Sequence, residues 1–152
     1  MPDSLYDRDI LSWSEQQAAL LRRLARGERV NAAVDWDNLI DEVETVGRTE
    51  LRACEGLLYQ ALLHLLKLRF GLDPQPKAHW ANETETFLDG AQRAFTPSMR
   101  HRVMLQTEYA RARRKCLRVL NPETQISQAC PYNLDDLLDP DADLDRLLSK
   151  LD

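Results

Sequence analysis

His64 is the titratable side chain with the most pointed placement in this sequence. It lies on the run Leu57, Ala61, His64 and Leu68, which repeats at helical steps inside an apolar segment. A buried imidazole needs hydrogen-bond partners. A carboxylate from another helix would supply one, and the pair could then act as a structural lock, a pH-sensitive contact or a base held by an acid. The acids of the second helix offer that partner. Asp37, Asp41 and Glu44 share one helical face, with Glu42 nearer the opposite side. Such carboxylates run acid/base chemistry or hold a hard cation only when a second element fixes their geometry. A solvated face with a Glu44–Arg48 link at i,i+4 asks for less. No G-x-S-x-G elbow and no H-E-x-x-H pair accompanies them. The expectation for His64 is therefore a neutral, buried, structural residue, bonded to an acid or carbonyl of a neighbouring helix.

The other chemistry-bearing groups are scattered. Cys54 and His64 are ten residues apart on one helix, about 15 Å along its axis, and cannot share an ion. His79 and His101 are distant again, and Cys116 and Cys130 form no C-x-x-C pair. The tail acids Asp139, Asp141, Asp143 and Asp145 alternate like a calcium loop. An EF-hand wants Gly at its sixth position and Glu at its twelfth, where this chain has Leu144 and Lys150. Acids also suit helix N-termini. No metal site and no cofactor site is assigned. The stretch 102–118 carries six Lys/Arg (Arg102, Arg111, Arg113, Arg114, Lys115, Arg118) against Glu108 alone. Arg111, Arg114 and Arg118 share a face that could follow phosphates. The chain has a net charge of −5, which disfavours non-specific capture by nucleic acid. No helix-turn-helix signature is evident. The segment 119–152 holds eight acids against two bases, so the tail could cover that face.

The elements that must position these groups are helical. Five glycines, few β-branched residues and abundant Ala, Leu, Arg, Glu and Gln argue against a sheet. A length of 152 residues fits one domain. A first helix is expected from Leu5 to Arg26, capped by Ser4 and stopped by Gly27. A second starts at Asp35, buries Trp36, Leu39, Ile40, Val43 and Val46, and ends or kinks at Gly47. A third runs from Thr49 to Phe70, apolar nearly all round and so central. Pro74 and Pro76 break the chain before a fourth helix from Ala78 to Ala94. Thr96 and Pro97 open a fifth that reaches Leu120, with a core stripe of Leu105, Tyr109, Ala112, Cys116 and Val119. Pro122 ends it. In the tail, Asn133 caps LDDLLD, and Asp141 or Asp143 starts a last short helix that docks through its leucines. The fold class is all-α, a compact bundle-like domain of about five main helices with a short helical C-terminal segment. The opening MPDSLYDRDILSW has no apolar core of a signal peptide, and no stretch is long enough to span a membrane. With an odd, sparse set of cysteines, this points to a cytoplasmic protein with reduced thiols.

Several blocks are familiar in order. They are YDRDILSWSEQQAALLR, the run Trp36 to Glu44 followed by Gly47-Arg48, His64-Leu-Leu-Lys67, His79-Trp80, Pro97-Ser98, Tyr109 with Ala112-Arg113, and Cys130-Pro131-Tyr132 before LDDLLD. The chain resembles a bacterial family, common in cyanobacteria and proteobacteria, known as domain of unknown function twenty-nine. It departs at Leu68, where an aromatic is usual. The resemblance implies an all-helical domain and assigns no substrate, cofactor or catalytic residue.

The sequence supports three readings of function. The first is a non-enzymatic helical domain for protein interaction or self-association, with a protein partner or a second copy. Three tryptophans and leucine-rich helices in so short a chain motivate it. The second is a small enzyme or ligand-binding protein using His64 with the acids of the second helix. The third is nucleic-acid binding through 102–118. A polar cavity around His64 would favour the second, and a large apolar patch the first.

Overall fold

Helix-forming side chains, capped at intervals by Ser, Asp and Asn, build a chain of helices. The computed structural model describes residues 3–72, 76–120 and 123–152. Pro74 and Pro122 lie outside the described residues. The helices are α1 (Leu5–Arg8), α2 (Ile10–Ala25), α3 (Trp36–Phe70), α4 (Lys77–Ala94), α5 (Leu105–Val119), α6 (Leu134–Leu138) and α7 (Leu144–Ser149). Short 3-10 turns occupy Asn31–Ala33 and Pro97–His101. No strand occurs among the described residues, and the all-α class holds. None of their helices is long and apolar enough to cross a membrane.

Three boundaries differ from the sequence expectation. The first helix breaks at Asp9, which is the last cap of α1 and the first cap of α2. Its carboxylate accepts from the Ser12 N–H at 3.0 Å and the Ser12 hydroxyl at 2.7 Å. The second and third helices are one 35-residue helix, α3, which continues through Gly47. A lone interior glycine costs about 1 kcal/mol against alanine, too little to stop a helix supported on both sides. Arg48 ties that stretch to Thr45, Glu44 and Asp41. The fifth helix starts late. Pro97 opens a 3-10 turn that buries Met99, and the Arg102 and Val103 N–H groups both close on the Met99 carbonyl. The chain then re-enters a helix at Leu105.

The chain divides into two compact units, Met1–Arg48 and Thr49–Asp152, with the boundary inside α3. In the first unit, Trp13 is buried and its indole N–H donates to Asp35 at 3.0 Å. Gln17 interrupts the apolar pattern of α2 for a reason: it is buried, and its amide oxygen accepts the Asp35 N–H at 2.8 Å. Tyr6 meets Trp13 edge-on at 4.9 Å and donates to Glu42 at 2.5 Å. Gly27, at φ 86°, takes the left-handed conformation that ends α2.

In the second unit α3 is central. Cys54, Leu58, every residue from Ala61 to Leu66, and Leu68 are buried. Leu88 and Ala91 of α4 and Tyr109, Ala112 and Cys116 of α5 complete the core, joined by Leu137 and Leu147 from the tail. Val119, expected on the α5 core stripe, is 69% exposed. The irregular stretch before α6 hangs from α5. Tyr109 donates to the Ser127 carbonyl at 2.7 Å and Arg113 to the Ile126 carbonyl at 2.9 Å, while Gln106 bonds Gln128 and Cys130. Tyr132 is buried and donates to the Leu147 carbonyl at 2.7 Å, which pins α7. Asn133 and Asp136 form a capping box on α6, as the sequence implies, and Asp143 caps α7.

Candidate functional site

His64 is buried on α3, and its ring tilts against Phe87 at 5.1 Å. Its Nδ1 lies 2.7 Å from the Gln60 carbonyl of its own helix, so Nδ1 carries a proton. Its Nε2 lies 2.8 Å from Oε2 of Glu83. That second bond exists only with a proton between ring and carboxylate. The pair is thus either imidazolium with carboxylate or a neutral ring with a protonated acid. The partner comes from α4 and not from the acids of the second helix, which corrects the sequence expectation. The other Glu83 oxygen takes exposed His79 at 3.1 Å, one turn away on α4. The i,i+4 spacing of His79 and Glu83 is the signal from which this pair could have been read. Both ring nitrogens of His64 are occupied within the fold.

The remaining titratable candidates are separated. Asp41 and Glu44 bridge to Arg48 at 3.7 and 3.5 Å on an exposed face, and Glu42 takes the Tyr6 hydroxyl. That carboxylate pushes the Tyr6 phenol up to about 12. Asp139 and Asp143 turn their carboxylates to the N–H groups of Asp141 and Asp145. No group of three or more His, Cys, Asp or Glu placed to hold a metal occurs among the described residues. Burial raises all three thiols, Cys116 to about 11, so none is a ready nucleophile. The acidic tail does not neutralise the basic helix in the ion pairs of the described residues. Its acids go to Lys150, Arg100 and Arg69, while on α5 Arg111 pairs with Glu108 and Arg113 serves a carbonyl.

The largest departure from expectation is apolar. Trp36, Ile40, Val43 and Val46, expected to be buried, are 44%, 55%, 66% and 64% exposed. They fall within about 120° of the helix circumference, so the predicted stripe is real but uncovered. On α2, Ile10, Leu11 and Leu21 are exposed as well. Among the described residues, seven of the ten exposed large apolar side chains thus belong to the first unit, which concentrates them. Acids line one flank of the stripe at Asp37, Asp41 and Glu44, with Arg48 following at its end.

A family model for the domain of unknown function DUF29 matches residues 5–142. The chain belongs to the DUF29 family. Among solved structures, this DUF29 chain is similar to an α-helical protein of unknown function from Rhodospirillum rubrum. The two are 26% identical, with 98% of each chain covered and a TM-score of 0.71. No curated protein matches. The DUF29 match spans the exposed stripe, the His64–Glu83 pair and Tyr132.

Proposed function

We propose that this DUF29 chain is a helical association domain whose first unit pairs with a second copy through the exposed stripe of α3. The carrying observation is the row Trp36, Ile40, Val43 and Val46, apolar and uncovered along three turns. On the order of 400 Å² of such surface on one helix matches the largest apolar patch of a typical monomer, and is about half of what each partner of a stable interface covers. The segment begins acidic at Asp35 and Asp37 and carries its one base, Arg48, at its end, where it already bridges to Asp41 and Glu44 of its own helix. Two copies related by a two-fold axis, with the segments antiparallel, bring the acidic start of one beside the basic end of the other.

Cross-linking tests this reading. Val43→Cys places a thiol in the stripe, close to the expected two-fold axis. The native thiols compete poorly, since Cys54 and Cys116 are buried and all three are raised by burial. Mild oxidation should give a disulfide-linked dimer faster than the same change at exposed Thr86 on α4. Equal rates at the two positions would reject the pairing.

A further inference from the structure

A groove of about 450 Å³ opens beside α5, lined by Tyr59, Arg111, Arg114, Lys115, Arg118 and Val119. Four of these six residues are cationic and none is acidic. The geometry points to a binding site for a short oligophosphate, a chain of two to four linked phosphates, free or carried on a small molecule.

The arrangement begins with Arg111. Its guanidinium stacks on the Tyr59 ring at 4.6 Å and bonds the Glu108 carboxylate at 2.7 Å. Glu108 is 5% exposed, so this arginine is held by a buried partner while it lines the groove. Arginine fixed in this way binds an anion without first losing rotamer freedom. Arg114, Lys115 and Arg118 have no ion-pair partner among the described residues. They follow Arg111 at steps of three, four and seven residues. The row from Arg111 to Arg118 covers about 10 Å of helix axis, the reach of a linear triphosphate. Their like charges repel one another, and a polyanion relieves that repulsion.

The length of the row favours a short anion over a nucleic-acid strand. Arg113 is turned away to the Ile126 carbonyl, and Arg102 precedes α5. The cationic track therefore stops after two turns. The chain around it has a net charge of −5, which repels a long phosphate backbone beyond the groove.

Titration calorimetry at low salt, on the full chain, tests the site with inorganic tripolyphosphate, with ATP and with a 20-residue oligothymidylate. Tripolyphosphate should bind. ATP binding with similar affinity identifies the phosphate chain as the recognised part. A preference for ATP of more than about tenfold would overturn that identification by showing that the base is read. The double variant Arg114→Glu/Arg118→Glu should weaken tripolyphosphate roughly a hundredfold while its circular dichroism stays native, since both side chains are exposed. Arg114→Gln/Arg118→Gln should fall between the two. Arg22→Glu on α2 should bind as the parent does. Absence of tripolyphosphate binding by the folded parent would overturn the proposal, as would equal binding by the double glutamate variant. Binding of the oligonucleotide without tripolyphosphate would overturn it in favour of a nucleic-acid surface.

Discussion

Replacing His64 with alanine should destabilise the second unit by about 2 kcal/mol. The magnitude follows from what the ring touches. Its burial against Phe87 is lost, a truncation worth about 1 kcal/mol for a ring of this size and polarity. The bond to Glu83 is also lost. A side-chain hydrogen bond contributes about 0.5–1.5 kcal/mol when neutral and more when charged, and with the Glu83 side chain 37% exposed about 1 kcal/mol remains after solvent screening. No large penalty for stranded groups adds to this. Glu83 keeps His79 and water, and the Gln60 carbonyl keeps its helical bond from the His64 N–H. With a urea m-value of about 2 kcal/mol/M, the midpoint should fall by about 1 M. His64→Phe retains ring packing and should lose about half as much. Glu83→Gln should cost less than His64→Ala, because its site is partly wet. Urea denaturation followed by circular dichroism measures all three. An unchanged midpoint for His64→Ala, or a larger loss for Glu83→Gln, would refute the lock.

Three further expectations follow from the same physics. Burial, then the neighbouring Glu108 carboxylate, raises Glu55 above the usual glutamate range. A raised acid lowers stability as pH climbs through its folded value, so Glu55→Gln should stabilise the protein at pH 7 by less than about 1 kcal/mol, with no gain below about pH 4; paired urea curves at the two pH values check it. For Asp136, burial pushes upward but the Asn133 N–H and Lys150 outweigh it, and the carboxyl sits low. Its contribution is present above the unfolded aspartate value and is lost as pH falls through the folded one, so Asp136→Asn should cost about 1 kcal/mol at pH 7 and converge on the parent below about pH 4 in thermal melts. Tyr132→Phe removes the bond to Leu147 while keeping the ring. It should cost about 1 kcal/mol, because the Leu147 carbonyl still accepts from Lys150, and hydrogen exchange should quicken in α7 before the core.

Apolar spacing made the core legible. Leu58, Ala61 and Leu65 on α3, and Tyr109, Ala112 and Cys116 on α5, repeat at helical steps and are buried where that spacing puts them. Caps were legible too, at Ser4, Asn133 and Asp143, because a short polar side chain before an apolar run has one economical use. Gly47 misled because glycine both ends helices and survives inside them, and only neighbouring packing and ion pairs decide between the two. Glu83 was missed as the partner of His64 because they are nineteen residues apart on different helices, where spacing carries no information. The stripe of Trp36, Ile40, Val43 and Val46 shows the limit most clearly. Periodicity marks a face that avoids water, but it does not say whether the same chain covers that face. Tyr59 beneath Arg111 was hidden in the same way, since the aromatic and the cation meet only across α3 and α5.

Sedimentation equilibrium of the parent chain and Val43→Asp, from low to about 100 µM, measures the pairing itself. One chain weighs 17.5 kDa. In a two-fold pair the substitution acts twice. Each copy loses burial of a valine that is two-thirds exposed in the single chain, about 1 kcal/mol, and sets a carboxylate in an apolar contact at further cost. The dissociation constant should therefore rise by at least about a hundredfold. The parent's mass should climb toward that of two chains as concentration rises, and the Val43→Asp variant should stay near one. A parent that remains a single chain throughout, or a variant that pairs as tightly as the parent, would contradict the pairing.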